Sequence, residues 1–237
     1  MRSILFSDEM VRAEREGRKT VTRRIAKPRK QPSLLNGEWS DSYVLDRGNH
    51  KWLMRDCPYG DTGERLWVRE THYRFGHWEP VEGARTKEGR EKWHFVGDDG
   101  GLGPFKIPKA LYDGEIKEGE FRRSMSKLEP KIPAWHRRLA RFMPRRLART
   151  VLEVVGIRLE RLQDITEEDA IAEGIERGKD FFRCPMWKNY LPDSEGASWF
   201  PDDPIGSYRT LWESINGPGS WDVNPLVWRI EFRRVEA

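Results

Sequence analysis

Near the end of the chain, Trp228, Ile230 and Phe232 alternate with Arg229, Glu231 and Arg233. A period of two belongs to a strand with one buried and one wet face. Residues 149 to 160 alternate in the same sense through Val151, Val155, Ile157 and Leu159, and Gly156 marks a bulge. The turn from Pro58 to Gly63 delivers the chain into a strand over 65–71, and the β-branched run from Thr20 to Ile25 reads as extended until Lys27-Pro28 ends it. Helices announce themselves by their ends. Ser7 caps one from Asp8 to about Glu16, stopped by Gly17; Thr166 opens a capping box with Asp169 for another through Glu173, stopped by Gly174. A third runs from Pro204 to Ile215 and ends in Asn216-Gly217-Pro218-Gly219. Trp135, Leu139 and Phe142 fall at i, i+4 and i+7, which predicts a short amphipathic helix before Pro144. Residues 28–60 and 176–203 read as irregular. Residues 74–130 read as an insertion of short strands and turns packed through Trp78, Trp93, Phe95, Phe105 and Tyr112.

Composition narrows the class. In 237 residues, 35% are charged and 37% hydrophobic, and 11 Trp, 10 Phe and 6 Tyr supply apolar surface that a disordered chain lacks. That is enough for one sizeable core but lean for more, which leaves one large domain or two small ones open. No apolar run reaches membrane-spanning length, and the start of the chain turns charged after Ile4-Leu5-Phe6, unlike a signal peptide. Cys57 and Cys184 lie far apart, as reduced thiols of a cytoplasmic protein would. His72, His77 and His94 have no metal-ligand spacing, so neither metal nor cofactor is expected.

The net charge of +4 conceals two basic stretches, residues 12–30 and 131–150, each with a local sum of +7. In the second, Arg137, Arg138, Arg141, Arg145, Arg146 and Arg149 join Lys131 with no carboxylate among them. Arginine suits phosphate forks and stacking on bases, so these six are candidate nucleic-acid contacts, with a solvated basic face as the alternative. Trp221 is a candidate stacking platform for a base, or else a buried turn anchor.

The segment Gly17-Arg18-Lys19-Thr20-Val21-Thr22-Arg23-Arg24 resembles the Gly-x-Lys-x-x-Thr-x-Arg signature of ASCH domains in the PUA-like superfamily. The order of the remaining pieces is similar too: a helix before the signature, the Gly63-Glu64-Arg65-Leu66-Trp67-Val68 entry to a strand, a Thr-Glu-Glu-Asp-Ala helix at 166–170, and the closing Val-Trp-Arg-Ile-Glu-Phe strand at 227–232. With the Ile215-Asn216-Gly217-Pro218-Gly219-Ser220-Trp221 turn, the chain is similar in particular to ASCH proteins of phages and prophages. The resemblance implies an α+β fold in a single domain over 1–237: a PUA-like (ASCH) small β-barrel with flanking helices and long insertions. Its core pieces are 1–27, 61–73, 145–175 and 204–235, and the insertions are 28–60, 74–144 and 176–203. It also implies a cytoplasmic location, the host's if the gene is a phage's, and a partner that is RNA or a modified nucleoside.

Family members that remove the acetyl group from N4-acetylcytidine use a Lys, a Thr three residues on and a Glu in the later helix. Lys19, Thr22 and Glu173 match those positions. By that resemblance Thr22 attacks the amide carbonyl, Lys19 accepts its proton, and Glu173 orients Lys19 or relays a proton to the departing amine. Arg24 would hold the oxyanion or a sugar oxygen, Arg23 is a further candidate substrate contact, and Arg18, Arg23 and Arg24 supply cations that lower the lysine pKa. Glu70, on the face of its strand shared with Leu66 and Val68, is a rival carboxylate. On the residues alone the alternatives remain open: Lys19 and Arg24 as phosphate ligands, Thr22 as an ordinary strand residue, Glu173 as the partner of an arginine. Three functions therefore compete: an N4-acyl cytidine amidohydrolase, a non-catalytic reader of RNA or modified DNA, and a ribonuclease, the last weakened by the lack of a His pair.

Overall fold

The computed structural model describes residues 1–26, 57–97, 134–179, 184–191, 199–201 and 203–235, together with Tyr43, 46–49 and Met54. The fold is α+β, mostly sheet with few helices. It divides into two compact units: residues 1–4, 8–68 and 149–237 form the first, and 5–7 with 69–148 form the second. Phe105 and Tyr112 lie outside the described residues.

The first unit is built on a five-stranded sheet in the order β1 (Arg2–Leu5), β3 (Arg65–Arg69), β7 (Val151–Arg161), β10 (Leu226–Val235) and β2 (Val21–Ile25). The alternation in β10 does what its sequence requires, for Trp228, Ile230 and Phe232 are all buried. Opposite Glu231 and Phe232 the register passes from Gly156 to Val154, leaving Val155 as the extra residue of a bulge beside the predicted glycine. Among the described residues the sheet does not close into a ring, because β1 and β2 remain its edges. The outer side of the approach to β2 is met by a helix end instead of a strand: Thr20 N–H donates to Ala172 O, and Lys19 bridges Glu173.

Among the described residues, three helices flank this sheet. In α1 (Asp8–Arg15) acidic Asp8 and Glu9 complement the N-terminal dipole and Met10, Val11 and Ala13 are buried. The Thr166 hydroxyl accepts from Asp169 N–H to start α2 (Glu167–Ala172), and α3 (Pro204–Asn216) starts where the Asp203 carboxylate accepts from Gly206 N–H. Within residues read as irregular, Met186–Lys188 (β8) and Trp199–Pro201 (β9) pair as a short antiparallel ribbon. No helix among the described residues is long and apolar enough to cross a membrane.

The second unit holds a three-stranded antiparallel sheet, β5 (Glu91–Gly97), β4 (His72–Arg85) and β6 (Ala134–Arg138). Here the predicted helix over 135–142 is corrected. Residues 134–138 pair with 72–76 of β4, and the one helical piece within the predicted span is the 3-10 turn Ala140–Phe142. Eight residues before a proline make too short a helix to stand without a buried stripe, and Leu139 and Phe142 are exposed. The edge of the long strand β4 offers the backbone a full ladder of partners instead.

Candidate functional site

The signature segment forms the edge of the first unit's sheet, and its chemistry follows from strand parity. Thr20 O and Ala26 N–H bond to β10, so the carbonyls of the odd-numbered residues point off the open edge. Side-chain cations meet two of them: Lys19 Nζ donates to Val21 O at 2.8 Å, and Arg24 Nη1 donates to Arg23 O at 3.1 Å. An exposed row of acceptors would otherwise invite another strand.

Lys19 reaches this position because the chain turns at Gly17, whose φ is +76°. Its amine also donates to Glu173 O at 2.8 Å and to Glu173 Oε2 at 2.7 Å. The side chain is buried, at 2% exposure. Burial lowers its ammonium from 10.5 to about 8; the Glu173 carboxylate opposes this, while Arg24 and Arg23 add to it. Lys19 and Glu173 are therefore brought together as a buried ion pair.

Thr22 occupies the other face of the strand, in register with Ile230 of β10 and through it Ile157 of β7. Its hydroxyl is fully buried and has no hydrogen-bond partner among the described residues. The Lys19 amine rests against the carbonyl of the peptide unit that joins Val21 to Thr22, in the plane between the two faces of the sheet. The hydrogen bonds of that amine go to Val21 and Glu173, and none of them goes to the Thr22 oxygen.

Arg23 points to the face opposite Thr22 and meets carboxylates instead of solvent. Its Nε donates to Glu160 at 2.7 Å, one Nη to Asp169 at 2.6 Å and the other to Glu173 Oε1 at 3.4 Å. In register with it, Arg229 and Arg158 also donate to Asp169, and Arg158 donates to Glu160. Burial pushes the Asp169 carboxyl up, but hydrogen bonds from Arg229 and Arg23 outweigh it and hold it near 2. The Tyr208 hydroxyl in α3 donates to Glu173 Oε1 at 3.3 Å, and burial followed by the Glu173 charge raises its phenol well above its ordinary value. Glu173 is thus held from two sides, with Oε1 toward Tyr208 and Arg23 and Oε2 toward Lys19. Sequence reasoning misses Asp169, Glu160, Arg229 and Tyr208 as members of this site. Asp169 carries a visible signal, but its place in the capping box accounts for it completely.

The remaining candidates fall elsewhere. Arg24 is half-buried on the Thr22 face, hydrogen-bonded to Tyr59, whose phenol burial pushes up. Glu70 follows β3, is buried as its alternation with Leu66 and Val68 predicts, and donates its backbone N–H to Met143 Sδ. Trp221 is 8% exposed with its ring edge-on to Tyr208, the placement of a turn anchor. The arginine run is divided: Arg149 belongs to the first unit, and Arg137, Arg138, Arg141, Arg145 and Arg146 to the second. Comparisons with protein families, with curated proteins and with solved structures yield no match to this chain.

Gly174, which ends α2, makes a sharp test of how Lys19 is positioned. Its φ is +86°, and a Cβ there would come within 2.7 Å of Lys19 Cβ and 2.8 Å of Ala13 Cβ. Gly174→Ala combines left-handed strain with a steric clash, and we expect a loss of at least about 2 kcal/mol in chemical denaturation. A loss of a few tenths would mean that Lys19 is not held by this close approach.

Proposed function

We propose that this protein is an ASCH-type, PUA-like domain that binds RNA or a modified nucleoside and hydrolyses the N4-acyl amide of cytidine, with Lys19, Thr22 and Glu173 as its reacting groups. The observation that carries the reading is a buried lysine whose pKa falls to about 8, paired with Glu173 and seated against the peptide that joins Val21 to Thr22, while the Thr22 hydroxyl has no hydrogen-bond partner among the described residues. A lysine near 8 is a competent general base at mildly alkaline pH, and an unpaired hydroxyl is free to be one end of a proton transfer.

In the proposed reaction the Thr22 oxygen adds to the amide carbonyl as its proton passes to the Lys19 amine. The tetrahedral adduct collapses with cleavage of the carbon–nitrogen bond, and the departing cytosine amine takes the proton back from Lys19. Water then hydrolyses the threonine ester, releasing the carboxylic acid and restoring the hydroxyl. Glu173, fixed by Tyr208 and Arg23, orients the lysine. Arg24, on the Thr22 face, holds the oxyanion or a sugar oxygen.

One observation favours a second reading, a binding module without chemistry. As an ammonium Lys19 has three protons, and Val21 O, Glu173 O and Glu173 Oε2 are three acceptors. A lysine so engaged staples β2 to the end of α2. Incubation of the pure protein with N4-acetylcytidine separates the two. Hydrolysis releases cytidine, and its rate rises with pH and levels off above about 8, because protonated Lys19 cannot accept the Thr22 proton. Lys19→Ala lowers that rate by about 10² to 10⁴. No release by the wild type, from neutral pH to well above the lysine pKa, would leave the binding module.

A further inference from the structure

We infer that the second unit carries its own binding surface for single-stranded nucleic acid, a stack of guanidinium and aromatic groups centred on Arg138 and Phe142. The inference rests on the nucleic-acid part of the function proposed above, but not on its chemistry.

By register, Arg74, Trp78, Phe95, His136 and Arg138 share one face of the β5-β4-β6 sheet. The Arg138 guanidinium lies 4.5 Å from the centroid of Phe95, 4.7 Å from that of Trp78 and 5.1 Å from that of Phe142. Arg141 lies 4.9 Å from the Phe142 ring, and Arg74 5.4 Å from Phe95. Trp78, Phe95 and His136 meet edge to face, which fixes the floor of the stack.

Two features point to a partner. First, among the described residues Arg138, Arg141 and Arg145 make no salt bridge, although Arg23 and Arg229 in the first unit are fully paired, and burial together with neighbouring Arg74 presses Arg138 below its ordinary pKa. A half-buried Arg138 with no salt bridge among the described residues calls for an anion from outside. Second, Phe142 is 52% exposed at the end of the stack, its ring flanked by two guanidiniums. Phosphates answer these arginines, and an unstacked base answers the open ring. A duplex keeps its bases stacked inside and offers that ring nothing, so the charge and the aromatic together select a single strand.

Fluorescence anisotropy with the full chain tests this, using labelled oligouridine, oligothymidine and an RNA duplex of equal length. We expect either single strand to bind more tightly than the duplex, and the ratio of the two to tell whether the ribose hydroxyl is read. Phe142→Ala removes a largely exposed ring and should weaken single-strand binding about fivefold or more, with duplex affinity unchanged. Arg141→Ala with Arg145→Ala should flatten the salt dependence by about 0.7 in log–log slope for each phosphate that is no longer neutralised. Equal affinity for duplex and single strand, or a Phe142→Ala effect within the error of the titration, overturns the inference. Hydrolysis of free N4-acetylcytidine, unaffected by Phe142→Ala, would then stand alone; conversely, Phe142-dependent binding without hydrolysis keeps this surface and removes the chemistry.

Discussion

Arg23→Ala should be among the most destabilising single changes in the first unit. Four cations, Lys19, Arg23, Arg158 and Arg229, meet four carboxylates, Glu160, Asp169, Glu173 and Glu231, in one connected network, and Arg23 is the member that touches three of the carboxylates. Its side chain has no exposure, so water cannot replace it. Removing it leaves Glu173 and Asp169 desolvated with fewer counterions and opens a cavity the size of a guanidinium. Breaking a buried pair by deleting one partner costs about 3–5 kcal/mol, which for a chain of this length lowers Tm by about 10 °C. Arg23→Lys should fall between wild type and alanine, because one ammonium keeps the charge but cannot fork to Glu160, Asp169 and Glu173 together. Thermal melts of the two variants give the answer. A loss below about 1 kcal/mol for alanine would place the network with ordinary surface ion pairs.

The same residue shows where sequence reading stops. Alternation along 20–25 puts Thr22 and Arg24 on one face and Arg23 on the other, which is local and legible. Which face α2 covers is not local: Arg23 meets Glu160 across 137 positions and Glu173 across 150. So Arg23, expected beside a ligand, is instead the hub of an internal network. Features set by neighbouring residues are readable from the chain, among them the Thr166 cap, the glycine stops at Gly17 and Gly174, the bulge beside Gly156 and the burial phase of β10. Features set by pairing are not. The period of Trp135, Leu139 and Phe142 suits a helix, yet the edge of β4 claims the backbone and leaves Leu139 and Phe142 in solvent. Lys19 with Glu173 is the exception. Their pairing spans 154 positions, and the expectation that they meet comes only through the family resemblance, not from spacing.

Thr22→Val should separate stability from activity more sharply than any other substitution. Valine keeps the shape and exchanges a hydroxyl for a methyl at a fully buried position in register with Ile230. Since that hydroxyl has no partner among the described residues, the wild type bears the desolvation cost of an unsatisfied polar group, about 1–3 kcal/mol. The variant is therefore expected to be as stable as wild type or more so in denaturant titration. Release of cytidine from N4-acetylcytidine should fall by at least about 10³, because the proposed attacking atom is gone. Thr22→Ser, which restores an oxygen on a smaller side chain, should recover part of that rate while losing some packing. A valine variant that loses more than about 1 kcal/mol would show the hydroxyl to be structurally engaged, and a stable valine variant with undiminished hydrolysis would move the nucleophile to another residue. A buried oxygen that costs stability and accepts no bond has a physical reason to persist if a substrate carbonyl is its partner.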